Sequence, residues 1–453
     1  MKRKVLSLGI VCLLVFSVCG CQTDFSGRDI IRTETDPEIS AISGNDLTLT
    51  DIPDQAQILC SCDGSIFYTC FDEGETEQLS DEVITGRQHM YRYDASQGGS
   101  EYVADLGQVF SRTGDALYRG GKIYYPCITG STQQFLLEIE PDTGQVRELM
   151  SADRDNVFSY IRGTDDDIFL FSINALSADE TEYIVERILP DTAETETVIR
   201  KSAGTAEGEG DGEAAEGTSI SCVDTHGESI YTYEVTFDGG RGKDISTVNR
   251  YTGAGKLTDS YTLDGFDAFL EPGSEQKQDD SSASEASPEG AASASGVSGE
   301  QNASPEQGAS AESAGQPENF RDTVWSINVH DGYILLNTIN SRHAIYKIEE
   351  DKLIRVESPE ELSKDVSGDY QYASGYRSGE DQIFFAACFL SERNLCLFDP
   401  DTLTFGWRTI PAGRENCTYA FHLSDKGDLI IQETNYADQT QSSVCILDRR
   451  AMI

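Results

Sequence analysis

Five histidines, His89, His226, His330, His343 and His422, are the first residues to test for chemistry, because imidazole serves both metal binding and proton transfer. None stands four residues from another, so no helix face carries a ligand pair, and no zinc spacing exists. His226 and His330 fall at turns between the first and second strands of a repeat, whereas His89 and His343 open third strands. The two pairs are therefore expected towards opposite faces of the fold. Thr164-Asp165-Asp166-Asp167 lacks the ligand spacing and glycine of a calcium loop. No G-x-S-x-G elbow occurs, and no cysteine stands beside a histidine in an electropositive setting. Gly208-Glu209-Gly210-Asp211-Gly212 is acidic and would repel a phosphate. With 79 acids in the chain, a carboxylate pair suited to glycoside hydrolysis carries no information. These residues point to no catalytic site, no metal and no cofactor.

Cysteine carries two other chemistries. Lys2, Arg3 and Lys4 precede an apolar run from Val5 to Val18, too short for a comfortable membrane span, and Val18-Cys19-Gly20-Cys21 follows. This stretch resembles a bacterial lipobox. The resemblance implies cleavage after residue 20, acylation of Cys21 (diacylglyceryl and palmitate-type chains), and retention on the outer face of the cell membrane. Residues 1–20 are then a signal peptide, and 21–44, polar and without periodicity, read as a flexible tether. Nine cysteines follow Cys21, most in or beside predicted strands. A tight hairpin centred on Glu392 would set Cys388 against Cys396 across adjacent strands. An exported protein could oxidise that pair; buried free thiols are the other reading.

Charge excludes further classes. The 453 residues carry 34 basic and 79 acidic side chains, a formal net charge of −45. Nucleic-acid binding rests on neutralising phosphates, so nucleic acid is excluded as a partner. Residues 203–217 hold five acids and no base, and 273–317 hold eight acids and one lysine among Ser, Ala, Gly, Gln and Pro. Both are expected to be disordered insertions. They account for −5 and −7, so most of the charge belongs to the body.

The elements that would position any site come from a repeat. A turn residue, one further residue, an aliphatic residue and then aromatic or aliphatic residues recur around Ile66, Ile123, Ile168, Ile230, Ile334, Ile383 and Leu429. An alternating run precedes each copy, as in Ile58-Leu59-Cys60-Ser61-Cys62, which makes a hairpin. A third run, a turn such as Pro141-Asp142-Thr143-Gly144, and a weaker fourth run follow. With the two acidic stretches set aside, the copies are spaced by 45 to 59 residues. Residues 45–453 are therefore expected to be all-β, a seven-bladed β-propeller of four-stranded antiparallel blades. After Val444-Cys445-Ile446-Leu447 only six residues remain. Asp46-Leu47-Thr48-Leu49-Thr50 is accordingly expected to close the last blade and remove its open edge.

The blades resemble those of TolB-like and quinoprotein-like propellers, and the whole chain resembles propeller lipoproteins of Gram-positive bacteria. Quinoprotein blades carry a Trp docking motif; here only Phe405-Gly406-Trp407 comes near it, so no quinone is expected. The expected function is a monomeric, membrane-anchored extracytoplasmic module that binds or scaffolds a protein or envelope component. The alternative is a carbohydrate-binding or carbohydrate-active propeller acting on wall or environmental glycans. The acidic insertions gather on the face of the fourth-to-first connections, the expected binding face.

Overall fold

A computed structural model describes residues 30–448 except 42–46, 54–55, 73–76, 81–82, 110, 113–115, 130–132, 153–155, 165, 178–179, 208–212, 239–243, 264–323, 331, 339–342, 351, 360–369, 378–381, 390–393, 410–416, 425–427 and 436–441. Among the described residues every regular element is a strand. The predicted hairpins form where short β-branched and aromatic runs meet tight turns. Gln57–Cys62, Ser65–Phe71, Val83–Asp94 and Ser100–Val109 make the first antiparallel meander. Leu117–Arg119, Lys122–Thr129, Gln133–Glu140 and Gln145–Ala152 make the next. Later meanders begin at Asn156–Gly163, Glu213–His226, Val324–His330, Tyr370–Arg377 and Cys417–Leu423.

The repeated aliphatic residue is the first or second residue of each second strand. Ile66, Ile123, Ile168, Ile230, Ile334 and Leu429 are all at most 5% exposed. Their neighbours pack face to face between successive meanders. Phe67, Met90 and Val103 meet Ile123, Tyr125 and Ile139; Tyr231, Tyr233 and Val248 meet Val329, Ile334 and Leu336. A further cluster joins Ile430 and Val444 of the last meander to Ile58, Ile66 and Tyr68 of the first. The first strands also contact one another in order, and Cys417–Leu423 returns to Gln57–Cys62. The arrangement is propeller-like.

The N-terminal segment runs along the outside of this arrangement. Leu47–Leu49 pairs antiparallel with Ser442–Leu447, as the sequence requires of a closing strand. Upstream, the expected tether of 21–44 is corrected over much of its length. Ile30–Ile31 lies parallel to Lys352–Val356, and Glu34–Ala41 lies parallel to Thr404–Thr409. Glu357 N donates to Ile31 O, Thr33 Oγ1 donates to Glu357 O at 2.8 Å, and Arg32 pairs with the Glu357 carboxylate at 2.6 Å. Parallel edge pairing draws on backbone groups, which is why a segment without side-chain periodicity still forms strands. The register skips between Thr35 and Ile39, around Pro37, whose ring nitrogen has no hydrogen to donate.

A second correction concerns 203–217. Residues 203–207 pair antiparallel with 213–217, so the fourth strand of one meander, Glu194–Glu207, and the first of the next, Glu213–His226, join in an eight-stranded sheet. Alternating backbone pairing outweighs the low apolar content that suggested disorder. Below this junction Glu234, 2% exposed, accepts hydrogen bonds from Tyr251 Oη and Thr232 Oγ1, both at 2.6 Å, and pairs with Lys201 Nζ at 3.1 Å. The expected insertion 273–317 lies outside the described residues.

Glycines in the third-to-fourth turns lock neighbouring meanders together. Gly255, at φ +76°, sits where an added Cβ would stand 1.9 Å from Val198 O, and Gly144, at φ +70°, where it would stand 2.5 Å from Val103 O. Both contacts are to the outer strand of the preceding meander. Gly98, at φ +66°, has open space in the same position. Gly255→Ala should therefore cost about 3 kcal/mol or more, against about 1 kcal/mol for Gly98→Ala. Urea unfolding of the two variants checks this; equal losses would remove the proposed backbone docking.

Candidate functional site

Three tight turns converge at the seam between the two meanders of the eight-stranded sheet. In the first, Thr164 N donates to Asp167 O and Asp167 N donates to Thr164 Oγ1, at 3.0 and 3.1 Å. The second is His226-Gly227-Glu228-Ser229, where Gly227 adopts φ +56°. In the third, Thr252 N donates to Lys256 O at 2.9 Å and Gly255 docks as described. Such side-chain-to-backbone bonds fix turns that sequence alone shows only as Thr, Asp and Gly clusters.

The turns enclose a cavity of about 710 Å³, lined in part by Asp166, Asp167, Glu228, Arg187, Arg250 and Tyr231. Arg187 Nη2 pairs with Glu196 of the outer strand, and its Nη1 stands 3.7 Å from Asp167. Arg250 Nε donates to Ser229 Oγ at 3.0 Å, and its guanidinium lies 5.8 Å from the centre of the Tyr231 ring. Burial raises the Tyr231 phenol, with Arg250 opposing the shift. The cavity therefore presents cationic donors, carboxylate acceptors and hydroxyls together.

The histidines fall largely where the sequence places them. His226 and His330, on successive first-to-second turns, meet edge to face with ring centres 5.3 Å apart. Beside them Asp224 accepts from Val329 N at 2.8 Å and lies 3.5 Å from Arg162; burial raises its carboxyl despite these partners. His89 belongs to another sheet, with Nε2 2.8 Å from Asp72 Oδ1. Next to it Arg87 donors hold the Asp105 carboxyl down at about 2. Among the described residues no group of three or more His, Cys, Asp or Glu converges to hold a metal.

One feature escaped the sequence reading. On three successive first strands an extra residue breaks the register at equivalent positions, opposite the third and fourth residues after Ile168, Ile230 and Ile334. These bulged residues are Ser159, Ser221 and Trp325. A bulge re-aims its side chain out of the pleat. Trp325 is 54% exposed, and Tyr160 Oη donates to its carbonyl at 3.2 Å. Only the pairing register reveals the equivalence.

The facing pair Cys388–Cys396 is corrected. Cys396 pairs with Phe385, three positions before Cys388. An odd offset puts the two residues on opposite faces, and the added separation exceeds what a disulfide spans. Cys396 is buried and forms no disulfide among the described residues. Cys21 lies outside the described residues.

No family model matches this chain, and no curated protein matches it. Solved structures do. The periplasmic gluconolactonase of Pseudomonas aeruginosa is 11% identical with a TM-score of 0.45, covering 87% of this chain and 93% of that one. The β-propeller domain of the Trilobed protease from Pyrococcus furiosus, described as having an open velcro topology, is 8% identical with a TM-score of 0.44, covering 86% and 94%. A putative 6-phosphogluconolactonase from Bacteroides fragilis is 10% identical with a TM-score of 0.43, covering 85% and 95%. Likeness at this level says nothing of activity.

Burial pushes the Cys70 thiol up to about 11 and those of Cys127 and Cys445 to about 12, with Cys222 raised further. These thiols stay protonated at neutral pH and should resist iodoacetamide in the native protein while reacting fully in urea. Mass spectrometry of unreduced protein should find Cys396 alkylatable after unfolding. Rapid native labelling, or a Cys388–Cys396 crosslinked peptide, would contradict the burial and the register.

Proposed function

We propose that this chain is a seven-bladed propeller lipoprotein, anchored through Cys21 on the extracytoplasmic face of the cell membrane, that acts as a binding or scaffolding module for a protein or envelope component. The closed cycle of first strands supports the blade number when the eight-stranded sheet is counted as two units. The observation that carries the reading is the N-terminal strap. Eight residues separate Cys21 from Ile30, where pairing to the outer edge of a sheet begins. Fully extended, they reach about 30 Å. An acylated Cys21 would thus hold the ring by its rim, within about 30 Å of the bilayer. The strong negative charge of the chain keeps the body off an anionic surface while the acyl chains hold it.

A glycan-binding reading has a specific observation in its favour. Trp325 offers half its surface on a first strand, beside Ser159 and Ser221 at equivalent bulges, and an aromatic face with hydroxyls suits a sugar ring.

Cys21→Ser should move the protein from the membrane fraction to the soluble fraction, or leave the longer precursor unprocessed. Retention in membranes at the unchanged mature size would remove the anchor from the account.

A further inference from the structure

The seam cavity holds two arginines whose donors are incompletely used. Arg187 is anchored at one edge by Glu196, but Nη1 stands 3.7 Å from Asp167, beyond hydrogen-bond length, and Nε is buried with no hydrogen-bond partner. Arg250 is anchored by Ser229 and the Tyr231 ring, while its Nη1 stands 3.7 Å from Asp259. In a chain with 79 acids a guanidinium is easily saturated by carboxylates. Two guanidiniums with donors to spare, held in place around one cavity, make a pre-set clamp for a carboxylate.

The remaining lining narrows the ligand. Asp166, Asp167 and Glu228 would repel a phosphate dianion, yet they are strong acceptors for hydroxyl donors. Ser229, Thr252 and Thr258 add hydroxyls that both donate and accept. We propose that this cavity binds a hexuronate, a hydroxyl-rich ring bearing one carboxylate, with the carboxylate on Arg187 and Arg250 and the ring hydroxyls on Asp166, Asp167 and Glu228. The cavity of about 710 Å³ has room for a monosaccharide or a disaccharide end. This goes beyond the glycan-binding reading: the unit recognised is an acidic sugar, and the site lies at the first-to-second turns, away from the Trp325 bulge and on the face opposite the acidic hairpin of 203–217.

Calorimetric titration of the full chain in detergent with D-glucuronate, D-glucose, acetate and inorganic phosphate tests the assignment. D-Glucuronate should bind, and the other three should bind at least about tenfold more weakly. Arg250→Gln should weaken D-glucuronate binding about tenfold or more with an unchanged melting profile, and Arg250→Lys should restore part of it. Arg187→Gln should act the same way; if loss of the Glu196 pair unfolds it, the Arg250 variants decide. No heat with D-glucuronate up to about 10 mM, equal binding of glucose, or full affinity in Arg250→Gln would overturn the proposal. The Cys21→Ser protein should bind D-glucuronate as the acylated protein does, so failure of the anchor and failure of the site are read separately.

Discussion

The pairing of Leu47–Leu49 with Ser442–Leu447 is the contact on which the ring depends. A row of sheets packed face to face has two ends, and each end exposes apolar surface or unpaired backbone. Bending the row into a circle brings the ends together, and among the described residues the last meander has three strands of its own. The borrowed strand supplies the missing hydrogen bonds. Thr50 Oγ1 then donates to Val444 O at 2.9 Å, and Gln432 Nε2 donates to Ala56 O at 2.6 Å, tying the last sheet to the start of the first. The Ile430–Val444–Ile58–Tyr68 cluster packs across the same seam.

Closure also explains how turns far apart in sequence become one surface. Each meander returns its tight turns to the same end, so successive turns sit side by side. At the seam of the eight-stranded sheet this places Asp166 and Asp167, Glu228 and Thr252 around one cavity, with Arg187 and Arg250 at its wall. The buried Glu234–Lys201–Tyr251 group below the junction fixes the two meanders against each other. An ion pair of this kind is costly to break, because removing one partner leaves a buried charge without compensation. Arg187 and Arg250 stand one on each of the two meanders so joined.

Much of the fold was legible because side-chain periodicity reports it. The recurring Ile, its turn residue and the alternating runs on either side mark the hairpins, and the alternating Leu47-Thr48-Leu49 run marks the strand that pairs with Ser442–Leu447. Backbone-driven pairing left no such mark. Glu34–Ala41 gains its edge position through hydrogen bonds to Thr404–Thr409, and 203–207 meets 213–217 through the same groups, so composition misled in both places. The register between Phe385 and Cys396 depends on where a hairpin turns, and spacing alone did not fix it. The cavity was invisible because its arginines lie on different meanders, 63 residues apart, and nothing in a sequence joins them.

Hydrogen exchange measured by mass spectrometry on the full chain and on a chain beginning at Asp51 tests the closure most directly. If the N-terminal strand completes the ring, the shorter chain loses amide protection in Ser442–Leu447 and also in Gln57–Cys62 and Ser65–Phe71, the sheet on the other side of the seam. Unchanged protection in both sheets would mean that the ring stands without its borrowed strand, and would contradict the account.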